Sequence, residues 1–298
     1  MPSIELTPNI ISSLKHINTN GLKSGFYEFP DFMILGPQRT GTTWLQRYLI
    51  QHPDVFMPHL KELYFFNYLI HKNTKGVNFK TDRLEWYSTE FNLTFIKYLQ
   101  KNWSLLKSFR TFKKLDYDLS NFFKPVVKGE ATASYAVMDQ SLIHEVVTLS
   151  PNIKVVISVR NPIDRAWSHA SKDLISRKRP LKSISFQEFK KFYTDDYMLR
   201  CGRYSEIIKN WRSVLPEDQI FFSMFKDIAE TPLKALEEVL NFLGLSPEKL
   251  LVKLKDDPIH KIGRTSRHEV PEEHARFLTE LFQADMRKTE EMLGQPFE

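Results

Sequence analysis

The stretch Asp31-Phe32-Met33-Ile34-Leu35-Gly36-Pro37-Gln38-Arg39-Thr40-Gly41-Thr42-Thr43-Trp44-Leu45 decides the fold. Its apolar run, Phe32 to Leu35, has the length of a short parallel strand covered on both faces. Gly36 and Gly41 bracket a turn, and Thr42 to Ile50 reads as the first turns of a helix. Backbone N–H groups and the positive dipole end at such a helix start favour an anion. The Gly-x4-Gly spacing matches the P-loop of nucleoside-triphosphate enzymes. That motif requires Lys directly after its second Gly, then Ser or Thr for Mg²⁺. Here Thr42 stands where the Lys belongs, and a cation lies inside the loop as Arg39. The loop suits a phosphate and is badly built for Mg-ATP.

A second segment supplies another cation. Ile153 to Val159 is β-branched and strand-like, and Arg160-Asn161-Pro162 ends it before an amphipathic helix at about 163 to 176. Arg160 therefore stands at the carboxyl end of a strand, where open α/β sheets bind ligands. Ser168 follows near the second turn of that helix. The plainer alternative for Arg160 is a surface salt bridge. Further strands are expected at 125 to 128 and 219 to 224. Helices are expected from Thr231-Pro232, with Gly244 just past the end, and from Pro271 to Leu293. Strands alternating with helices predict an α/β fold, a three-layer P-loop-like domain around a mostly parallel central sheet. No repeat or Gly/Ser linker divides the 298 residues, so we expect one domain over 1–298 with a helical insertion at 67–124.

The run Gly-Pro-Gln-Arg-Thr-Gly-Thr-Thr-Trp-Leu resembles the 5′-phosphosulfate loop of sulfotransferases that use 3′-phosphoadenosine 5′-phosphosulfate (PAPS). The resemblance is strongest to the heparan sulfate branch and its soluble bacterial relatives. That loop usually carries Lys where this chain has Arg39. Val159-Arg160-Asn161-Pro162-x-Asp164-Arg165-Ala166-x-Ser168 resembles the motif whose Arg and Ser hold the 3′-phosphate. Lys61-Glu62-Leu63-Tyr64-Phe65-Phe66 resembles the segment that bears a catalytic Glu, and Gly202-Arg203-Tyr204 a Gly-x-Tyr helix. Glu130 to Tyr135 resembles a Glu-x-Ser/Thr-Pro-x-Tyr stretch without its Pro. His260-Lys261-Ile262-Gly263-Arg264 is similar to a basic loop that closes over the phosphosulfate, with Ile262 intervening.

The resemblance implies a metal-free transfer of a sulfuryl group from PAPS to an acceptor hydroxyl or amine, leaving 3′-phosphoadenosine 5′-phosphate (PAP). Glu62 would be the base, and Arg39 would stabilise the leaving phosphate by charge and hydrogen bonding, since a guanidinium does not donate its proton. A carboxylate with an ordinary pKa near 4.3 is a weak base for an alcohol, so the pocket must raise it or deprotonation must be late. The alternative for Glu62 is a surface carboxylate paired with Lys61 or Lys72. The donor would lie against Gln38, Arg39, Thr40, Gly41, Thr42, Thr43, Trp44, Arg160, Ser168, Tyr204, Lys261, Gly263 and Arg264. His59, Lys61, Tyr64, Phe65 and Asn67 would face the acceptor. Tyr64 and Asn67 stand where the heparan branch has His and Asp, so a small-molecule or biosynthetic-intermediate acceptor is expected rather than a polysaccharide.

Composition bounds the rest. Residues 97 to 128 hold eight Lys/Arg against Asp116 and Asp118, as large an excess as the +6 of the whole chain. Residues 62 to 123 hold 16 of the 39 aromatic residues, a mixture that could bind nucleic acid or form core aromatics under a solvated basic face. We expect the latter, and no nucleic-acid partner. The nine His show no metal-ligand spacing and Cys201 is the single cysteine, so no metal site is expected. One Cys, the absence of an apolar leader after Met1, and no apolar run near the ~20 residues of a membrane helix point to a cytoplasmic enzyme with no membrane partner. Two alternatives remain: a nucleotide-dependent kinase with a degenerate P-loop, and a non-catalytic nucleotide- or RNA-binding protein.

Overall fold

The computed structural model describes residues 3–58, 60–70, 83–94, 97–98, 125–175, 179–254 and 269–297. A small antiparallel pair, β1 (Ile4–Leu6) with β2 (Gly25–Tyr27), precedes the central sheet. That sheet contains β3 (Phe32–Leu35), β4 (Val55–Phe56), β5 (Val127–Ala131), β6 (Lys154–Val159) and β7 (Ile220–Met224) in the order β4-β5-β3-β6-β7. All four pairings are parallel. Helices cover both faces, which is why these strands read as continuous apolar runs. Met33, Leu35, Val155 and Ile157 pack into one core with the Gln140–Leu149 and Tyr204–Arg212 helices. Phe32, Ile34 and Val156 pack into the other with the Thr42–Leu49 and Pro232–Phe242 helices.

The chain leaves β3 towards β4 on one side, whereas it leaves β6 towards β7 on the other. The carboxyl ends of β3 and β6 therefore flank the switch point at which such sheets bind ligands. The register sets Leu35 beside Ile157, so Gly36 falls next to Ser158. A Cβ on Gly36 would lie 2.7 Å from both the Ser158 carbonyl oxygen and Thr40 Oγ1, so only glycine lets the loop turn here.

The strand expected at 125 to 128 is instead Val127–Ala131. Gly129 and Glu130 look like turn residues, but Gly129 lies under the Phe32 ring, where a side chain has no room. Within the expected insertion, the Asn67–Ile70 and Leu84–Phe91 helices are described and pack on the core. Six of the eight basic residues of 97–128 fall outside the described residues. Of the other two, Lys128 is buried in an ion pair with Glu28, its pKa lowered to about 8 by burial. Lys97 caps the Leu84–Phe91 helix through the carbonyls of Thr89 and Glu90. Among the described residues no helix is long and apolar enough to cross a membrane.

Candidate active site

The loop from Gly36 to Gly41 is fastened by a bond from Thr40 Oγ1 to the Pro37 carbonyl, 2.9 Å. Gly41, at φ +99°, then begins the Thr42–Leu49 helix without any side-chain cap, leaving its first N–H groups to face the loop. Trp44 turns away from this opening into the core against Tyr48. The Gln38 amide is fixed from outside the loop, its Nε2 lying 2.7 Å from the Tyr197 hydroxyl.

The second segment meets the loop directly. Asn161 caps the Pro162–Leu174 helix through the N–H of Ile163 at 3.0 Å, with Pro162 in its first turn. This aims Ser168 at the loop, and Arg39 Nε donates to Ser168 Oγ at 3.0 Å. Arg160 Nη1 donates to the Arg39 carbonyl at 3.1 Å, and its guanidinium stacks 4.3 Å from the Phe225 ring centroid. The Arg160 N–H donates to the Tyr204 hydroxyl at 3.3 Å, so Tyr204 holds Arg160 from behind.

Sequence reasoning gave no role to Arg165, which is 1% exposed and reaches under the loop towards the Gln38 carbonyl at 3.5 Å. Its signal was helical spacing: three residues before Ser168 and four before His169, it shares their face. The Nε atoms of Arg160 and Arg165 are buried with no hydrogen-bond partner among the described residues. Burial lowers the pKa of both Arg39 and Arg160; Asp173 and Asp164, respectively, oppose the shift. Three desolvated guanidinium groups converging on one loop leave a positive charge that an anionic ligand would relieve. A groove of about 580 Å³ continues from Arg160 past Phe225 and Lys226 towards Val270 and Ala275.

The Lys61–Phe66 segment faces the loop from the other side. Lys61 Nζ donates to Thr43 Oγ1 at 2.5 Å and lies 3.4 Å from Glu62 Oε1. The pairing of Glu62 with Lys61 considered from sequence is thus present, at the rim of the loop rather than on a remote surface. Tyr64 is exposed. Phe65 and Asn67, expected to face the acceptor, serve the core instead: Phe65 stacks on Tyr87, and Asn67 Oδ1 accepts from Ser134 Oγ at 2.6 Å. Arg39, Glu62 and Tyr64 have φ of +81°, +62° and +56°. They are the non-glycine residues with positive φ among the described residues, each a strained conformation costing roughly 1–3 kcal/mol. His59, Lys61's neighbour but one, and Lys261, Gly263 and Arg264 lie outside the described residues.

Beneath this segment Glu130 is 2% exposed and accepts a hydrogen bond from Tyr87 and another from Thr132 at 3.0 Å. Burial raises its pKa to about 7, against the lowering effect of both hydrogen bonds.

Residues 29–266 match the family model of the sulfotransferase domain. The chain belongs to the sulfotransferase family. Over 232 residues it is 26% identical to the human bifunctional heparan sulfate N-deacetylase/N-sulfotransferase 1, covering 73% of this chain and 22% of that protein. The enzyme of the same name from Caenorhabditis briggsae is 27% identical over 238 residues, covering 72% and 23%. This sulfotransferase thus spans about a fifth of the length of the curated relatives it matches. In fold it is similar to the crystal structure of a sulfotransferase from Alicyclobacillus acidocaldarius, with a TM-score of 0.56 over 90% of this chain and 96% of that one at 23% identity.

Proposed function

We propose that this sulfotransferase takes its sulfuryl group from PAPS and delivers it to the hydroxyl or amine of a small-molecule or biosynthetic-intermediate acceptor. The observation that carries the reading is the junction of two segments about 120 residues apart at one loop. There Arg39 bonds Ser168, Arg160 bonds the Arg39 carbonyl, and the buried Arg160 Nε lacks a partner among the described residues. The residues fit a ligand with two separate anionic groups. Loop N–H groups, Arg39 and Thr43 would hold the 5′-phosphosulfate, Arg160 and Ser168 the 3′-phosphate, and the groove beside Phe225 the nucleoside. Lys261, Gly263 and Arg264 would complete the cradle. When bound, the donor supplies a sulfuryl group on a phosphate leaving group.

Glu62 takes the acceptor proton as the acceptor attacks. Arg39 stabilises the charge that develops on the leaving oxygen, acting by electrostatics rather than proton transfer. As the family resemblance implies, Lys61 and Tyr64 would bound the acceptor side with His59 and the 67–124 insertion. The exposed Tyr64 and Leu60 favour an apolar or aromatic acceptor over a polyanionic one. The single cysteine, buried Cys201, is consistent with a cytoplasmic setting.

The test is transfer from ³⁵S-labelled PAPS to a panel of alcohols, phenols and amines. Labelled product is expected with the wild-type chain. Glu62→Gln should lower turnover at least about 100-fold, the scale of general-base catalysis. Wild-type turnover in that variant would remove Glu62 as the base. Transfer of a phosphoryl group from ATP with Mg²⁺, and none from PAPS, would favour the kinase reading instead.

A further inference from the structure

Thr43 occupies a telling position. In the P-loop of nucleoside-triphosphate enzymes, the hydroxyl two places after the second Gly coordinates Mg²⁺. Counting from Gly41, that hydroxyl is Thr43 Oγ1, and here it accepts a hydrogen bond from the Lys61 ammonium at 2.5 Å. We propose that Lys61 is a catalytic residue, its ammonium standing where the P-loop motif places Mg²⁺ and contacting the transferring sulfuryl group. This deepens the sulfotransferase reading of the same site and rests on it.

Three observations support the assignment. Lys61 comes from the segment opposite the loop, 18 residues beyond Thr43, so the contact closes the site from the acceptor side. Its other neighbour is Glu62 at 3.4 Å, so one ammonium spans the loop and the base. The positive φ of Glu62 and Tyr64 kinks the backbone immediately after Lys61, and such strain persists where surrounding structure holds a functional geometry.

The charge balance also fits. A phosphoryl group carries about −1.5 to −2 at neutral pH, and Mg²⁺ matches it. A sulfuryl group carries one negative charge, which a compact monovalent ammonium matches. Arg39, already bonded to Ser168 at 3.0 Å, faces the donor from the opposite flank. The ammonium would exchange the Thr43 hydroxyl and Glu62 for sulfuryl oxygens when the donor binds, freeing Glu62 for the acceptor proton.

The experiment compares two ligands that differ only in the sulfuryl group. Calorimetric titration of PAP and of PAPS, without acceptor and in EDTA, needs no knowledge of the acceptor. Lys61→Met should leave the PAP Kd within about twofold and weaken PAPS about tenfold, the size of one charge-assisted hydrogen bond. Lys61→Arg should recover most of that loss. The assignment is overturned if Lys61→Met weakens PAP and PAPS equally, if it weakens neither, or if Mg²⁺ tightens PAPS binding to the wild-type chain. Failure of the wild-type chain to bind either ligand would instead refute the donor reading on which the assignment rests.

Discussion

Arg39 shows how one residue joins the two parts of the site. Its carbonyl accepts from Arg160, and its side chain donates to Ser168. Its φ of +81° turns both groups in those directions at once. Side-chain substitutions leave the carbonyl contact intact, so they test the guanidinium alone. Because Arg cannot release its proton, the role we propose for it is charge and hydrogen bonding, which Lys can partly reproduce. Arg39→Lys should therefore keep kcat within about tenfold, whereas Arg39→Ala should lose about 100- to 1,000-fold, as removing one preorganised donor does. Steady-state kinetics with labelled PAPS decides it, and equal losses in both variants would show that the forked geometry matters. Arg39 was legible as a cation inside a phosphate loop. Its bond to Ser168 was not, because pairing across 129 residues depends on the register of β3 with β6.

At the scale of elements, local signals were read well where sequence and packing agree. Phe32 to Leu35 is a strand with the expected bounds, and the Thr42 helix ends one residue before the expected Ile50. Pro232 begins its helix and Gly244 adopts φ +75° after it, as a proline start and glycine stop imply. Strand β5 was misjudged because its two turn-like residues are explained only by distant partners: Phe32 over Gly129, and Tyr87 on Glu130. Arg165 was passed over for the same reason, since a buried arginine under a loop is a property of the assembled sheet and helix.

The Glu130–Tyr87 bond ties β5 to the Leu84–Phe91 helix, and Tyr87 in turn stacks on Phe65 of the Glu62 segment. Since burial raises the Glu130 pKa from an ordinary 4.5 to about 7, the folded state holds this proton more tightly than the unfolded state. Its contribution to stability is full below about pH 4.5 and declines as pH rises through about 7, by about 3 kcal/mol in all. Glu130→Gln should flatten that decline in thermal or urea unfolding measured across the window. An unchanged slope in the variant would place the titration elsewhere.

For the whole molecule, the parallel sheet sets the carboxyl ends of β3 and β6 side by side, and the cations of two distant segments meet there. The fold class followed from strand–helix alternation, and the donor side from two motifs in the right order. The acceptor side was less legible. The 67–124 stretch gives composition but little periodicity, and Phe65 and Asn67 turn inward because stacking on Tyr87 and a hydrogen bond from Ser134, respectively, outweigh their position near Glu62. The net charge of +6 suits an anionic ligand without choosing one.

The central claim is that Arg160 and Ser168 read a 3′-phosphate beside a P-loop that needs no metal. Calorimetric titration of the wild-type chain with PAP and with ADP, both in EDTA, tests it most directly. The account predicts that PAP binds at least about 100-fold more tightly than ADP, the worth of two or so charge-assisted hydrogen bonds to the 3′-phosphate that ADP lacks. Equal affinities, or binding of either nucleotide only when Mg²⁺ is restored, would contradict it.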